Sequence, residues 1–226
     1  MADENAIALV STQVPQHVKD AANLGNENVK GEHLQTPRVK LLQLMSHEVD
    51  QNHSEYITDA EPGDMINALT GDNYGKEMFV LNVHFTESWV VWRKREKGGG
   101  LIGSTNSPQA AVELVESQDG VPDDYETIQT QSHLMLRKNE FTGDIDRTPF
   151  LLDFAASKLR VSREWNTQLQ KVGGDRFSAL WKISSKQTQN RAGQGFQNLE
   201  VKYVGWAQDE DYEKAKELYS SVSQRG

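Results

Sequence analysis

Apolar positions in the first thirty-five residues keep no sustained period, and the polar, glycine-bearing stretch NLGNENVKGEH points to a mobile arm over residues 1–35. Order is expected from TPRVKLLQLMSHEV, residues 36–49. Thr36 suits a helix N-cap, Pro37 suits the first helical position, and Val39, Leu42 and Met45 fall on one helical face. EPGD (61–64) reads as a turn, and Gly71-Asp72-Asn73 reads as the turn of a hairpin. In FVLNVHFT, Phe79, Leu81, Val83 and Phe85 alternate with Val80, Asn82, His84 and Thr86, a period of two that makes a strand. SWVVWRKR (88–95) reads as its partner strand. Trp89 and Trp92 are three apart, so in a strand they lie on opposite faces and one must point outward.

SPQAAVELVESQDG (107–120) predicts a short helix with Ser107 as N-cap, Pro108 inside the start and Gly120 past the end. SHLMLRKN (132–139) and TPFLLDFA (148–155) read as strands around the turn NEFTGDIDR. SKLRVSREWNTQLQKVGG predicts a helix with the stripe Val161, Trp165, Leu169 and Val172, ended by Gly173-Gly174. FSALWKISSK and FQNLEVKYVGWA alternate as strands about the polar loop QTQNRAGQG. DEDYEKAKELYSSV has acids at its start and a Tyr212, Ala215, Tyr219, Val222 stripe, so a last helix is expected. Seven or eight strands with three or four helices make an α+β, mostly antiparallel β chain. Residues 36–226 are expected to fold as one domain on a small barrel or strongly curved sheet with peripheral helices.

Composition narrows the function. Cysteine is absent, which excludes disulfides, thiolate zinc sites and cysteine nucleophiles and suits a reducing cytoplasm. There is neither a membrane-length apolar run nor a secretory leader in MADENAIALVSTQ. GGGLIG (98–103) matches a dinucleotide fingerprint in letters but lacks a helix opening on its glycines, so a hairpin loop is expected. His47 and His53 flank Asp50 at a spacing that fits no standard metal motif, and Asp144 and Asp146 read as turn residues. Neither catalytic residues, nor a metal, nor a cofactor is expected.

The net charge of −9 argues mildly against a nucleic-acid coat, but the charge is segregated. Residues 150–206 carry nine basic against four acidic residues, and WRKREK adds four basic against one. The acids gather in 1–72, 110–128 and the last helix. All five tryptophans (89, 92, 165, 181, 206) lie in the basic zones. Trp165 and Trp181, on clean apolar stripes, are expected in the core. Aromatics set among cations on a curved sheet can stack bases and follow a phosphate backbone. The candidate single-strand interface is therefore Trp89, Trp92, Arg93, Lys94, Arg95, Lys97, Lys158, Arg160, Arg163, Lys182, Lys186, Arg191 and Lys202. Within it, Trp92 is expected to be the base platform and Trp89 the core anchor.

The succession YGKEMFVLNVHFTESWVVWRKREKGGGLIGS, PFLLDFAASKLRVSREWNTQL, SALWKISSKQTQNRAGQGFQNLEVKYVGW and YEKAKELY resembles a group of bacteriophage single-stranded DNA-binding proteins built on an OB-fold, over about residues 36–222. The resemblance implies a non-catalytic role in phage DNA replication, recombination or repair, in the host cytoplasm. Single-stranded DNA and phage replication or recombination proteins would be the partners, with an oligomer allowed. Such proteins often end in an acidic, aromatic-tipped tail, whereas this sequence ends SSVSQRG. The alternative is a phage regulatory or scaffold protein that binds another protein, such as a polymerase, through its acidic surfaces.

Overall fold

The structure, a computed structural model, describes Gly25, residues 27–29, 35–146 and 148–223. The arm expected over 1–35 lies outside the described residues apart from Gly25, 27–29 and Gln35. Thr36–Gly226 form one compact unit. Among the described residues it holds eight strands and three α-helices. The strands are β1 (Arg38–Leu41), β2 (Met65–Asn67), β3 (Glu77–Arg93), β4 (Leu101–Thr105), β5 (Tyr125–Lys138), β6 (Phe150–Ala155), β7 (Ala179–Gln189) and β8 (Gly195–Trp206). The helices are α1 (Pro108–Glu116), α2 (Leu159–Val172) and α3 (Asp209–Ser223). This is the expected α+β class with a strongly curved sheet.

The strands lie in the order β2-β1-β6-β5-β3-β7-β8, all antiparallel except β1 with β6. β3 is the spine. Its whole length from Phe79 to Arg93 pairs with β5. Its other edge is shared, Glu77–Leu81 with β7 and Trp89–Trp92 with β4. Two expectations are corrected here. Residues 36–49 do not form an α-helix: Arg38–Leu41 are a strand between β2 and β6, Leu44 and Met45 are exposed, and only His47–Val49 make a single 3-10 turn. SWVVWRKR is not the partner of FVLNVHFT, because its residues up to Arg93 continue the same seventeen-residue strand. The polar Glu87-Ser88 step that resembles a turn is instead held in the sheet. The Glu87 carboxylate accepts from Gln129 Nε2 at 2.8 Å and from Gln131 Nε2 at 2.7 Å on the neighbouring strand.

The inner face of the curl wraps α2. Val80, Met135, Leu152, Phe154, Trp181, Ile183 and Leu199 close on Trp165 and Leu169, and Trp165 and Trp181 are fully buried, as their stripes predict. Leu81, Val83 and Leu136 point to the outer face, where α3 covers them through Ala215, Tyr212 and Leu218. The two ends of the curl meet through a side chain. Gln43 follows β1, donates from Nε2 to the Gln197 carbonyl of β8 at 3.0 Å and accepts from the Gln197 amide at 2.9 Å, so its amide stands in for a rung of backbone ladder.

A register shift between Asn82 and His84 inserts an extra residue into β3 and reverses its faces. Asn82, in step with Val80 before the shift, and Phe85 after it therefore both face α2, among a buried polar network. Asn82 Nδ2 donates to His133 Nδ1 at 2.8 Å, and Arg176 donates from Nε to Asn82 Oδ1 at 2.8 Å and from Nη2 to His133 Nδ1 at 3.3 Å. Two donors at Nδ1 leave it unprotonated, so the proton sits on Nε2 and is donated to Ser162 Oγ at 2.7 Å. His133 also stacks on Trp165 with centroids 4.7 Å apart. Burial, with the Arg176 charge added, pushes the His133 pKa down to about 3.

Two expectations follow. Gln43→Ala should cost about 1–2 kcal/mol, since it removes two hydrogen bonds at a half-buried seam. In hydrogen exchange the Gln197 amide should speed up before the central strands do; unchanged protection at Gln197 would contradict the closure. His133 is neutral in the native protein and takes a proton in the unfolded chain below the ordinary histidine pKa of about 6.5. The unfolded state therefore binds more protons there, and stability falls as pH drops from about 6.5 towards about 3, at up to about 1.4 kcal/mol per unit. Urea unfolding at several pH values should show a shallower slope for His133→Gln; equal slopes would show that His133 is not held neutral.

Candidate nucleic-acid interface

Past the bulge, β3 extends as a wing in which Phe85, Glu87, Trp89 and Val91 face inward and Thr86, Ser88, Val90 and Trp92 face outward. α1 covers Trp89 and Val91 of the inward set. Ser107 Oγ accepts the Ala110 amide at 3.1 Å to cap it, and Ala111, Leu114 and Val115 pack on Trp89, Val91 and Tyr125. Gly103 of β4 is the contact point: a Cβ there would stand 3.0 Å from the Leu114 side chain. The turn back to β4 answers the GGG run. A 3-10 turn at Arg95–Lys97 leads into Gly98, Gly99 and Gly100, whose φ angles of 102°, 66° and 111° are left-handed and favour glycine.

Among the described residues no helix covers the outward set. Trp92 is 40% exposed, beside Leu101 of β4, its cross-strand neighbour. Together with Val90 and Ile128 they line a groove of about 530 Å³ that crosses β4, β3, β5 and β6 and reaches Arg38 and Lys158. Hydroxyls of Ser88, Ser104 and Thr130 line its floor. At its far end Asp153 is claimed by Arg38 and by the Ser132 hydroxyl, which donates at 2.5 Å. Lys158, half-buried there, makes no ion pair or hydrogen bond among the described residues, and burial pushes its pKa below the usual lysine value despite the nearby Asp153. Two residues earlier, Ala156 holds φ at 49°, a left-handed conformation costly for a residue with a Cβ, where the chain leaves β6 for α2.

The candidate residues do not form one patch. Trp92 and Lys158 share the groove, and Lys94 and Arg95 stand at the β3–β4 turn without ion-pair partners among the described residues. Trp89 lies on the opposite face under α1. Arg93 is turned to that face as well, donating to the Tyr125 hydroxyl at 3.0 Å with its guanidinium 5.5 Å from the ring centroid. Lys97 is paired with Asp124 at 2.8 Å and holds that carboxyl below its usual range. On α2, Arg163 donates to Gln129 Oε1 at 3.2 Å on the inner side, and Arg160 pairs with Glu164 along the helix. Lys182, Lys186 and Lys202 sit on the outer face of β7 and β8, where Glu77 pairs with Lys182 at 2.6 Å and the single Glu200 carboxylate is shared by Lys202 at 2.6 Å and Lys186 at 3.7 Å. α3, packed on Leu81, Val83 and Leu136, stands between them and Trp92. Arg191 is exposed in the β7–β8 turn.

Sequence reasoning passed over three groups. Arg38, read as part of a helix, reaches the groove because β1 is a strand. Tyr203 and Trp206 on β8 are 41% and 62% exposed, with rings edge to face at 6.2 Å. Trp206 was within reach of the same alternation argument as Trp92. Glu126, paired across from Trp92, sets a carboxylate beside the platform.

Face alternation has a direct consequence for stability. Trp89→Ala should cost about 2–4 kcal/mol, less than a fully buried tryptophan, while Trp92→Ala should stay within about 1 kcal/mol of the parent. Urea melts of both variants test this, and equal losses would contradict the face assignment.

The family model described as Pam3 phage gp34-like protein matches residues 3–226. No curated protein and no solved structure matches the chain. Among the described residues no helix is long and apolar enough to cross a membrane.

Proposed function

We propose, from the premise that this chain belongs to the Pam3 phage gp34-like protein family, that it is a non-catalytic, sequence-tolerant single-stranded DNA-binding protein acting in phage DNA replication, recombination or repair. The observation that carries the reading is the meeting, in one groove that no helix covers among the described residues, of an exposed tryptophan with a partly dehydrated lysine that has no partner among those residues. A base has a π-face whatever its identity, so Trp92 stacks any of them, with Leu101 and Val90 as apolar flanks. Lys158 supplies the charge for a phosphate at one end, and Lys94 and Arg95 at the other. The narrower site is thus Trp92, Lys94, Arg95 and Lys158, with Arg38 beside Asp153. The ion-paired cations of β7 and β8 are left outside it.

A second reading has its own observation. β8 ends the sheet order, and its Tyr203, Val204 and Trp206 are exposed, the kind of edge to which a strand of another protein adds. That favours the regulatory or scaffold role.

Titration with oligothymidylate, read by tryptophan emission, separates the two. Trp92→Ala should weaken binding about 5- to 150-fold, from a stacking contribution of about 1–3 kcal/mol. Lys158→Ala should weaken it too and lower the log–log salt slope by about 0.7, one phosphate contact on a single strand. Trp206→Ala should change neither. Saturable binding that ignores Trp92 and Lys158 would move the site, and absence of binding to any single strand would leave the edge-strand reading.

A further inference from the structure

The chain between β1 and β2, residues 42–64, runs as a series of tight turns. Leu42, Ala60 and Ile66, with Val49 and Ile57, anchor it to the sheet. The Ile57 amide donates to the Glu48 carbonyl at 3.0 Å and draws the two limbs of the loop together. Between these points lie a one-turn 3-10 helix, His47–Val49, and the successive turns Asp50–His53 and His53–Tyr56. The turns bring His47 over His53, with ring centroids 3.9 Å apart and planes 29° from parallel. They also bring up Glu55, whose Oε2 is 3.5 Å from His47 Nδ1 and whose amide donates to His53 Nδ1 at 3.2 Å. One ligating atom from each of the three side chains lies within 4.8 Å of the other two.

The sequence spacing of His47 and His53 about Asp50 matched no ligand motif, because the third member is Glu55. Asp50 is occupied otherwise, its Oδ1 accepting from the Asn52 amide at 3.0 Å. Two imidazoles and a carboxylate are the donors of a borderline-soft divalent ion; Ca²⁺ and Mg²⁺ call for oxygen alone. Bonds of about 2.0–2.2 Å to a tetrahedral ion set neighbouring ligand atoms about 3.3 Å apart, close to the spacing already present between His47 and Glu55. His53 Nδ1 needs only to exchange its long bond to the Glu55 amide for the ion. The side chains of His47 and Glu55 are well exposed, so an ion can enter and side-chain rotation can close the remaining gap.

The geometry points to a surface site for one divalent transition ion of the zinc class on His47, His53 and Glu55, with water completing its coordination. A bound ion would tie two turns of the loop together and so stiffen the connection between β1 and β2. The inference is independent of any nucleic-acid role.

The test is calorimetric titration of Zn²⁺ into the full chain after chelator treatment, beside His47→Ala/His53→Ala and Glu55→Gln. Wild type is expected to take up one Zn²⁺ that excess Mg²⁺ does not displace. The double variant should bind it at least tenfold more weakly and Glu55→Gln measurably more weakly. Zn²⁺ should raise the melting temperature of wild type but not of the double variant, as an ion bound only by the folded form must. Melts in chelator check that the variants fold, and the remaining histidines, retained in them, report binding elsewhere. No uptake by wild type, or equal affinity in the double variant, would overturn the site.

Discussion

A β-strand presents its side chains to alternate sides, and β3, seventeen residues long, obeys that rule on either side of one bulge. The rest of the molecule is arranged around the two faces it makes. At its start Val80 belongs to the core around α2 and Leu81 to the layer under α3. At its end Val91 lies under α1 and Trp92 lies outside. Because β7 leaves the shared edge before β4 joins it, the second half of β3 projects as a wing. The wing has one covered and one open side, and the open side is where the groove forms.

The bulge between Asn82 and His84 links these halves, and it is where the polar interior lies. Without the extra residue Phe85 would face α3 and Trp92 would face α1. With it, Phe85 turns inward beside the Asn82–His133 pair, and Arg176, Asn166 and Ser162 complete the hydrogen bonding. A guanidinium in this setting is desolvated enough that its pKa drops to about 10. The carboxamides and the imidazole, not a carboxylate, satisfy it. Such a network is costly if half made and rigid if complete, and here it fixes where the faces exchange.

Much of this was legible in the sequence where the signal is local. Alternation marked Trp89 and Trp92 for opposite fates, and helical stripes placed Trp165 and Leu169 in the core. The glycine run was readable as a hairpin loop once no helix opened on it. What failed was non-local. Val39, Leu42 and Met45 match a helix by spacing, but Arg38–Leu41 gain their ladder from strands more than twenty residues and more than a hundred residues away. The division of residues 79–95 into two partner strands does not hold because Gln129 and Gln131, more than forty residues away, keep Glu87 in the sheet. A count of cations could not tell Lys158, which has no partner among the described residues, from Lys182 and Lys202, which have one at 2.6 Å. Nor could it show that α3 stands between the two groups. Tyr203 and Trp206 are exposed on β8, which ends the sheet order, and strand order is not written in local alternation.

The central claim is that a single strand lies on the open face of the wing. Photocrosslinking of a uniformly substituted halogenated oligothymidylate, followed by peptide mass spectrometry, reads that face directly. Crosslinks are expected at Trp92 and on the neighbouring outward positions of β4 and β5, with β7 and β8 unlabelled. Crosslinks confined to Tyr203 and Trp206, or to the inner side at Trp89, would contradict the account.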